Sequence, residues 1–183
     1  LPLPETSDGY AAKEGAGAIR DAAGSASALV IGPGLGNVDS VRALLQTLLL
    51  TELALDVPSV IDADGLNGLA QTYRWWESLR SPAVLTPHPG EMSRLLGRSV
   101  SSVQDDRVDT ARSAAALWGQ VVVLKGAHTV VAAPDGRMTI SPFANPALAS
   151  AGTGDVLAGI IGGLLAQGLT PYDASRLGVY VHA

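Results

Sequence analysis

Short runs of apolar, mostly β-branched residues alternate along this chain with longer segments in which apolar residues recur at helical spacing. The short runs predict strands, and the longer segments predict amphipathic helices. Predicted strands cover residues 28–31, 58–62, 83–86 and 121–124, and predicted helices cover residues 38–50, a stretch between 65 and 72, 91–96 and 103–118. Two further runs, 129–133 and 137–141, flank the turn signal Pro134-Asp135-Gly136 and predict a hairpin. Two helices are expected to close the chain, one ending at Ala166 and one starting at Pro171.

This alternation predicts an α/β domain with a mainly parallel central sheet and helices on both faces. In such sheets, ligands bind beside the carboxyl ends of the strands. Four polar or glycine-rich segments directly follow predicted strands, namely residues 32–36, 62–67, 86–91 and 125–128. We therefore expect these segments to share one edge of the sheet and to form the site. The Ala/Gly/Ser tract 22–28 is expected to be a loop, and the sequence shows no internal repeat or linker.

Composition excludes several function classes. With 183 residues, of which 47% are hydrophobic, the chain is expected to form one domain with an adequate core. A net charge of −5 without a basic cluster argues against nucleic-acid binding. The absence of cysteine excludes disulfides and thiolate sites, and the three histidines show no metal-ligand spacing. The longest apolar run, 156–169, is too short to span a bilayer, so we expect a cytoplasmic protein with no membrane partner.

The sequence Gly152-Thr153-Gly154-Asp155 stands immediately before an apolar, helix-like run. The first backbone amides of a helix lack partners within the helix and attract anions, and glycine lets an anion approach the backbone closely. A carboxylate beside such an anion hole suits a reaction in which a phosphate is stabilised while a nearby hydroxyl loses its proton. The alternative is an ordinary helix start, with Thr153 or Asp155 as the capping residue.

Two of the segments that follow strands carry single candidate side chains. His88 lies between two prolines, which fix the backbone and could aim one imidazole, although histidines are common in loops. Lys125 ends a β-branched strand, where it could contact a phosphate or simply lie in solvent. Glu91 could bind a phosphate-linked Mg²⁺ through water or sit in the first turn of a helix. The metal ligands therefore stay unknown at this point.

The other two segments favour structural roles. The turn at residues 32–36 lacks the pattern of a phosphate loop and favours a tight connection between a strand and a helix. Asp62 and Asp64 are separated by one residue, and we interpret them as structural residues rather than as a chelating pair, with contact to a substrate or a metal as the alternative. We expect Asp64 to cap the following helix, while Asn67 could reach into the site.

Together these motifs resemble the ribokinase-like superfamily and, more narrowly, the ADP- or ATP-dependent NAD(P)H-hydrate dehydratases. The resemblance rests on residues 30–36, 61–67, 85–92, 124–129 and 145–159. Gly-Thr-Gly-Asp is shared with many sugar and vitamin kinases, whereas the segments 62–67 and 86–91 are more specific to the dehydratases. Leu3-Pro4-Glu5-Thr6 resembles a stretch inside the family domain. Residues 1–183 are therefore expected to form a single ribokinase-like domain that lacks the family's N-terminal βαβ units and the end of its C-terminal helix.

The resemblance implies a site shared by two small molecules. It places Gly36, His88 and Asp155 at a hydrated nicotinamide substrate, with Asp155 as the catalytic base. The other positions carried over lie on the nucleotide side: Lys125, Gly126, Ala127, His128, Thr129 and Gly154 at an adenine nucleotide, and Gly152, Thr153 and Gly154 as the anion hole. The resemblance also implies ADP or ATP as co-substrate with Mg²⁺ and a homo-oligomer, of which a tetramer is one form. It allows a fused epimerase domain.

The implied activity is repair of hydrated NADH or NADPH, in which the hydroxyl is phosphorylated and phosphate is then eliminated. One alternative is a small-molecule kinase of the same fold, such as a hydroxymethylpyrimidine kinase. Those kinases resemble Thr-Pro-Asn where this chain has Thr86-Pro87-His88, which weighs against this alternative. The other alternative is a non-catalytic adenylate-binding module, against which the intact Gly-Thr-Gly-Asp motif argues.

Overall fold

A single mixed sheet organises the chain. The computed structural model describes residues 1–52 and 54–183, and within these residues six strands form one sheet in sequence order. The strands are β1 (Leu29–Ile31), β2 (Ser59–Ile61), β3 (Ala83–Leu85), β4 (Val121–Leu124), β5 (Val130–Ala132) and β6 (Met138–Ile140). The first four are parallel, and β5 and β6 form the expected antiparallel hairpin. The predicted strands and the mainly parallel α/β sheet are confirmed.

Helices cover both faces of this sheet. They are α1 (Ala16–Ala23), α2 (Asp39–Leu50), α3 (Asp64–Ala70), α4 (Pro89–Leu96), α5 (Val100–Asp105), α6 (Arg107–Trp118), α7 (Thr153–Ala166) and α8 (Pro171–His182). Short 3₁₀ helices lie at Lys13–Gly15, Trp75–Glu77 and Pro146–Ala149. Among the described residues, no helix combines the length and the apolar character needed to cross a membrane.

The apolar runs produce two cores, because successive strand residues point to opposite faces of a sheet. Ile61 and Leu85 face the core formed with α2, α3, α4 and α6, whereas Val60 and Val84 face the second core, under α7 and α8. Strands covered on both faces need apolar residues at nearly every position. The strands β2, β3 and β4 meet this condition, since every one of their residues is buried.

The sequence pattern misjudges two helical segments. The helix predicted for residues 103–118 is interrupted at Asp106, which has φ −144° and ψ 79° and accepts a hydrogen bond from the Asp109 amide at 2.9 Å. Aspartate is a strong N-cap, so a new helix starts here instead of continuing. The tract 22–28, expected to be a loop, begins inside α1, which was not predicted. Alanine is the best helix former, and Ala22 and Ala23 extend this helix.

Gly32 allows the chain segments that follow β1 and β2 to touch. Its φ is 126°, in the region that favours glycine. A Cβ on Gly32 would lie 1.8 Å from the carbonyl oxygen of Asp62 and 2.7 Å from the amide nitrogen of Gly65. Backbone atoms cannot yield as a flexible side chain can. The absence of a side chain at Gly32 therefore allows the ends of β1 and β2 to approach each other this closely.

We predict that Gly32→Ala lowers the free energy of unfolding by at least ~3 kcal/mol, because the new methyl group meets backbone atoms on the neighbouring segment. Gly34→Ala is the matched control. Gly34 also has a positive φ, of 72°, but a Cβ there would meet nothing within 4 Å. Gly34→Ala should lower the free energy of unfolding by only roughly 1–2 kcal/mol, the cost of placing a residue with a side chain in left-handed backbone. Urea unfolding compares the variants, and equal losses would contradict the close approach.

Candidate active site

A buried ion pair joins the ends of β2 and β4. Lys125 Nζ donates a hydrogen bond to Asp62 Oδ1 at 2.7 Å, and the Asp62 side chain is 1% exposed. The Asp62 carboxylate also accepts from the Ala63 amide at 2.9 Å. Lys125 itself is 17% exposed, so the view of this residue as a solvated strand end is wrong. Parallel pairing places both strand ends at one edge of the sheet and so brings these two charges together.

A second carboxylate links this pair to the segment after β3. Glu91 Oε2 lies 3.8 Å from Lys125 Nζ and accepts a hydrogen bond from the His88 amide at 2.8 Å. His88 is the N-cap of α4, and its Nδ1 accepts from the amides of Gly90 at 2.9 Å and Glu91 at 3.4 Å. This reciprocal arrangement is a capping box, here with histidine in place of serine or threonine. Pro87 and Pro89 therefore aim the imidazole at the start of its own helix.

The start of α7 closes the site on the third side. The N-cap is Gly152, with φ 87° and no side-chain capping bond, so the expectation that Thr153 or Asp155 caps this helix is wrong. The Thr153 hydroxyl instead donates to the carbonyl of Leu148 at 2.7 Å. Within the described part of the chain, the amides of Gly154 and Asp155 have no hydrogen-bond partner. Such a turn can accept an anion.

Gly154 brings this turn directly against the ion pair. A Cβ on Gly154 would lie 3.2 Å from Lys125 Nζ and 3.6 Å from Asp62 Oδ2. An ammonium group and the positive end of a helix dipole therefore stand together, which is unfavourable unless negative charge lies nearby. Asp62 supplies part of that charge, and a phosphate could supply more. The Asp155 side chain, next along the helix, is exposed.

A cavity of about 310 Å³ opens beside the turn. Its polar wall contains six of the residues predicted for the nucleotide side: Lys125, Gly126, Ala127, Thr129, Thr153 and Gly154. Its apolar wall comes from Phe143, Pro146 and Leu148, in the segment before α7. His128 is not among the lining residues. Its backbone amide donates to the Phe143 carbonyl at 3.0 Å, and its Nδ1 lies 3.2 Å from the Ser141 carbonyl oxygen.

Gly36 follows β1, which is separated from β4 by β2 and β3 in the sheet. Its amide donates to Asp64 Oδ2 at 2.8 Å, and a Cβ on Gly36 would lie 2.5 Å from the Tyr10 ring. The expectation that Asp64 caps α3 is wrong, because Ala63 is the N-cap and Asp64 is the first helical residue. The carboxylates of Asp62 and Asp64 contact different partners, as expected. Asn67 accepts a hydrogen bond from Arg94 Nε at 2.9 Å.

Sequence reasoning missed three residues around the site. Arg107 donates to the carbonyls of Leu124 at 3.0 Å and Lys125 at 3.3 Å, and burial lowers the pKa of its guanidinium below the usual value. His182 Nε2 lies 2.8 Å from the Thr153 carbonyl oxygen and lines the cavity. Tyr10 covers Gly36. Each of the three contacts a site residue 17 or more positions away in sequence, so no local motif marks them. Arg107 follows two aspartates and looks like an ordinary charge at a helix start.

Solved structures define the class of protein. A ribokinase-like superfamily protein from Enterococcus faecalis has a TM-score of 0.78 and 29% identity, with 93% of this chain and 58% of that chain covered. The six-stranded sheet, its two helical layers and the glycine turn at α7 thus define a ribokinase-like domain. An ADP/ATP-dependent NAD(P)H-hydrate dehydratase from Bacillus subtilis, co-crystallised with ATP and Mg²⁺, has a TM-score of 0.74 and 37% identity over 92% of this chain and 58% of that chain.

The sequence comparisons narrow this class to one family. A family model described as NAD(P)H-hydrate dehydratase matches residues 4–183. A bifunctional NAD(P)H-hydrate repair enzyme, Nnr, from Moorella thermoacetica is 45% identical over the whole of this chain. The chain belongs to the NAD(P)H-hydrate dehydratase family. It spans 34% of the length of the Moorella relative.

We predict that the His88 side chain stabilises the protein by capping α4. His88→Ala should lower the free energy of unfolding by about 1 kcal/mol, because two α4 amides lose their acceptor. His88→Asn should restore most of this stability, because asparagine is among the best N-cap residues. Thermal unfolding of both variants measures the difference. If His88→Ala and His88→Asn lower the free energy of unfolding equally, the hydrogen bonds from the α4 amides to residue 88 do not stabilise the protein.

Proposed function

We propose that this chain carries out the nucleotide-dependent dehydration of hydrated NADH or NADPH. The observation that carries the proposal is the α7 turn, where the unpartnered amides of Gly154 and Asp155 stand beside Lys125, with an exposed carboxylate on Asp155. An anion hole, a fixed ammonium and a free base are the groups that phosphoryl transfer from a nucleotide to a hydroxyl requires. The names of the relatives from Moorella and Bacillus support the same reaction.

We assign the adenine nucleotide to the 310 Å³ cavity. Gly126, Ala127 and Thr129 would line the nucleoside, and its terminal phosphate would lie at Gly154 and Lys125. His128 holds the backbone of this segment through Ser141 and Phe143 rather than facing the cavity. The hydrated nicotinamide would lie between Gly36, His88 and Asp155. ADP and ATP both fit this assignment.

The proposed reaction has two steps. Asp155 accepts the proton of the ring hydroxyl, whose oxygen attacks the terminal phosphorus as the bond between that phosphorus and the rest of the nucleotide breaks. ADP yields AMP, or ATP yields ADP. The phosphorylated ring then loses inorganic phosphate together with a proton from the adjacent carbon, which restores the ring double bond. The protein contributes position, a base and charge neutralisation.

Mg²⁺ fits this site through the nucleotide. The part of the chain that the structure describes contains no group of three or more His, Cys, Asp or Glu side chains able to hold a metal. Mg²⁺ commonly keeps several waters and binds phosphates together with one or two carboxylates. Glu91, buried beside Lys125, is the carboxylate that we propose to contact it through water. When bound, Mg²⁺ would neutralise charge on the phosphates.

The protein that contains this chain is proposed to be longer than residues 1–183. The support is the length of the relatives, since the chain covers 34% of the bifunctional Moorella enzyme and 58% of the Bacillus dehydratase. We propose that the additional sequence completes the domain at its N-terminal βαβ units and C-terminal helix and that it can include an epimerase domain. A cytoplasmic homo-oligomer, with a tetramer as one form, is part of the same proposal and is tested by light scattering.

We predict that Asp155→Asn reduces turnover by ~10²–10⁴-fold, because the variant lacks the positioned base. Its nucleotide affinity should be nearly unchanged, because the amides of the turn remain. Asp173→Asn is the matched control: Asp173 occupies the same position in the first turn of α8 as Asp155 does in α7, and it lies outside the site. Turnover assays and calorimetric titration with ADP or ATP measure both effects. Full activity in Asp155→Asn would refute the assignment.

The proposed function predicts a fixed stoichiometry. With an NADH hydrate and ADP or ATP, the full-length gene product should regenerate NADH and release one inorganic phosphate per nucleotide consumed. A kinase of the same fold would retain the phosphate on a stable product and form no NADH. A binding module would bind the nucleotide and form neither product. Nicotinamide absorbance and phosphate release, followed in one sample, distinguish the three outcomes.

A further inference from the structure

The ion pair between Lys125 and Asp62 is costly to bury. Its 2.7 Å hydrogen bond holds a side chain with 17% exposure against one with 1% exposure. Desolvation of two charges consumes much of the Coulomb energy of a buried pair, so such a pair is weak evidence for a stabilising role. The strands already pack through apolar residues on both faces. The position of the pair at the ligand edge therefore calls for a reason other than stability.

The pair fixes where the ammonium of Lys125 stands. Lysine has a flexible four-carbon stem with three donors on Nζ, so without a partner its charge would sample many positions. One donor is taken by Asp62, and the ammonium lies 3.2 Å from where a Gly154 Cβ would be. Any side chain at position 154 would press on this group. Glycine at position 154 thus leaves the space between the Lys125 ammonium and the α7 turn free of side-chain atoms.

Glu91 is the competing partner for the same ammonium. It lies 3.8 Å from Lys125 Nζ, and its Oε2 already accepts from the His88 amide. Without the Asp62 charge, the attraction of Lys125 to Glu91 would no longer be balanced. The ammonium would then shift toward α4 and away from the start of α7. Asp62 therefore keeps the Lys125 ammonium from moving toward Glu91, which is close enough to accept a hydrogen bond from it after a small shift.

We propose that Asp62 is a positioning residue, which holds the Lys125 ammonium against the Gly154 turn and thereby sets the affinity of that turn for the terminal phosphate of the nucleotide. Asp62 acts only through Lys125 and does not touch the nucleotide itself. The inference rests on the proposed function insofar as a nucleotide phosphate is the ligand of the α7 turn. It adds that the affinity for this phosphate is set by a carboxylate behind the lysine.

A double-mutant cycle on the full-length gene product tests this inference. The variants are Asp62→Asn, Lys125→Met and the double variant, with ADP and ATP affinities measured by calorimetric titration. Ser175→Ala is the control, because Ser175 is also a buried polar residue but lies near the start of α8, where its hydroxyl donates to the Pro171 carbonyl at 2.6 Å. Its loss should affect stability without affecting nucleotide affinity.

The two single variants should each weaken nucleotide binding by roughly 10- to 100-fold, the range of a charge-assisted hydrogen bond. In the Lys125→Met background, Asp62→Asn should have no further effect, because the group through which it acts is gone. In turnover assays, Asp62→Asn should raise the KM for nucleotide and leave the KM for the hydrate unchanged.

Two results would overturn the inference. One is wild-type nucleotide affinity in Asp62→Asn. The other is an equal loss of nucleotide affinity on Asp62→Asn in the wild-type and Lys125→Met proteins, which is the behaviour of a residue with only a structural role. If Asp62→Asn fails to fold because it leaves Lys125 buried without its partner, the double variant still decides. A double variant equal to Lys125→Met supports the inference, and a weaker one refutes it. The proposed function fails separately, when the wild-type protein binds no nucleotide or regenerates no NADH.

Discussion

Parallel, in-register pairing of the first four strands is the constraint on which the site depends. Leu29, Ser59 and Ala83 are partners across neighbouring strands, and Ile31, Ile61 and Leu85 are partners at the other end. Because all these strands run the same way, the residue after each one emerges at the same edge. Asp62 and Lys125 are 63 positions apart in sequence and yet form a hydrogen bond. A shift of one residue in any of these strands would turn its apolar residues to the wrong faces and separate the charges.

The close approach of backbone segments at this edge has the same origin. Gly32 and Gly154 lack side chains where other groups come close. At Gly32 a backbone carbonyl leaves no room for a Cβ, and at Gly154 the Lys125 ammonium would have to move by a few tenths of an ångström. Both glycines stand at turns between a strand or loop and a helix. The layers of helix above and below the sheet, packed through apolar residues, hold these turns in place. The site is thus assembled by the packing of the domain as a whole rather than by a single loop.

The sequence was informative wherever one local signal dominated. Short apolar runs identified the strands, and the hairpin followed from Pro134-Asp135-Gly136. The sequence was misleading where two local preferences compete, as at Asp106, which is an acid in a helical pattern and also a strong N-cap. It was uninformative about Asp62, whose importance depends on Lys125. The sequence does not show which residue a carboxylate after a strand will contact, because that depends on the order of the strands in the sheet.

The capping box at α4 also determines which tautomer of the neutral His88 ring the site presents. Nδ1 accepts hydrogen bonds from the Gly90 and Glu91 amides, so it carries no proton, and a neutral ring must then carry its proton on Nε2. That nitrogen lies 3.4 Å from Glu91 Oε1. The helix start thus selects one tautomer and makes His88 a hydrogen-bond donor toward its surroundings. The lone pair on Nδ1 is committed to α4, so His88 can meet a bound molecule only through its Nε2 donor.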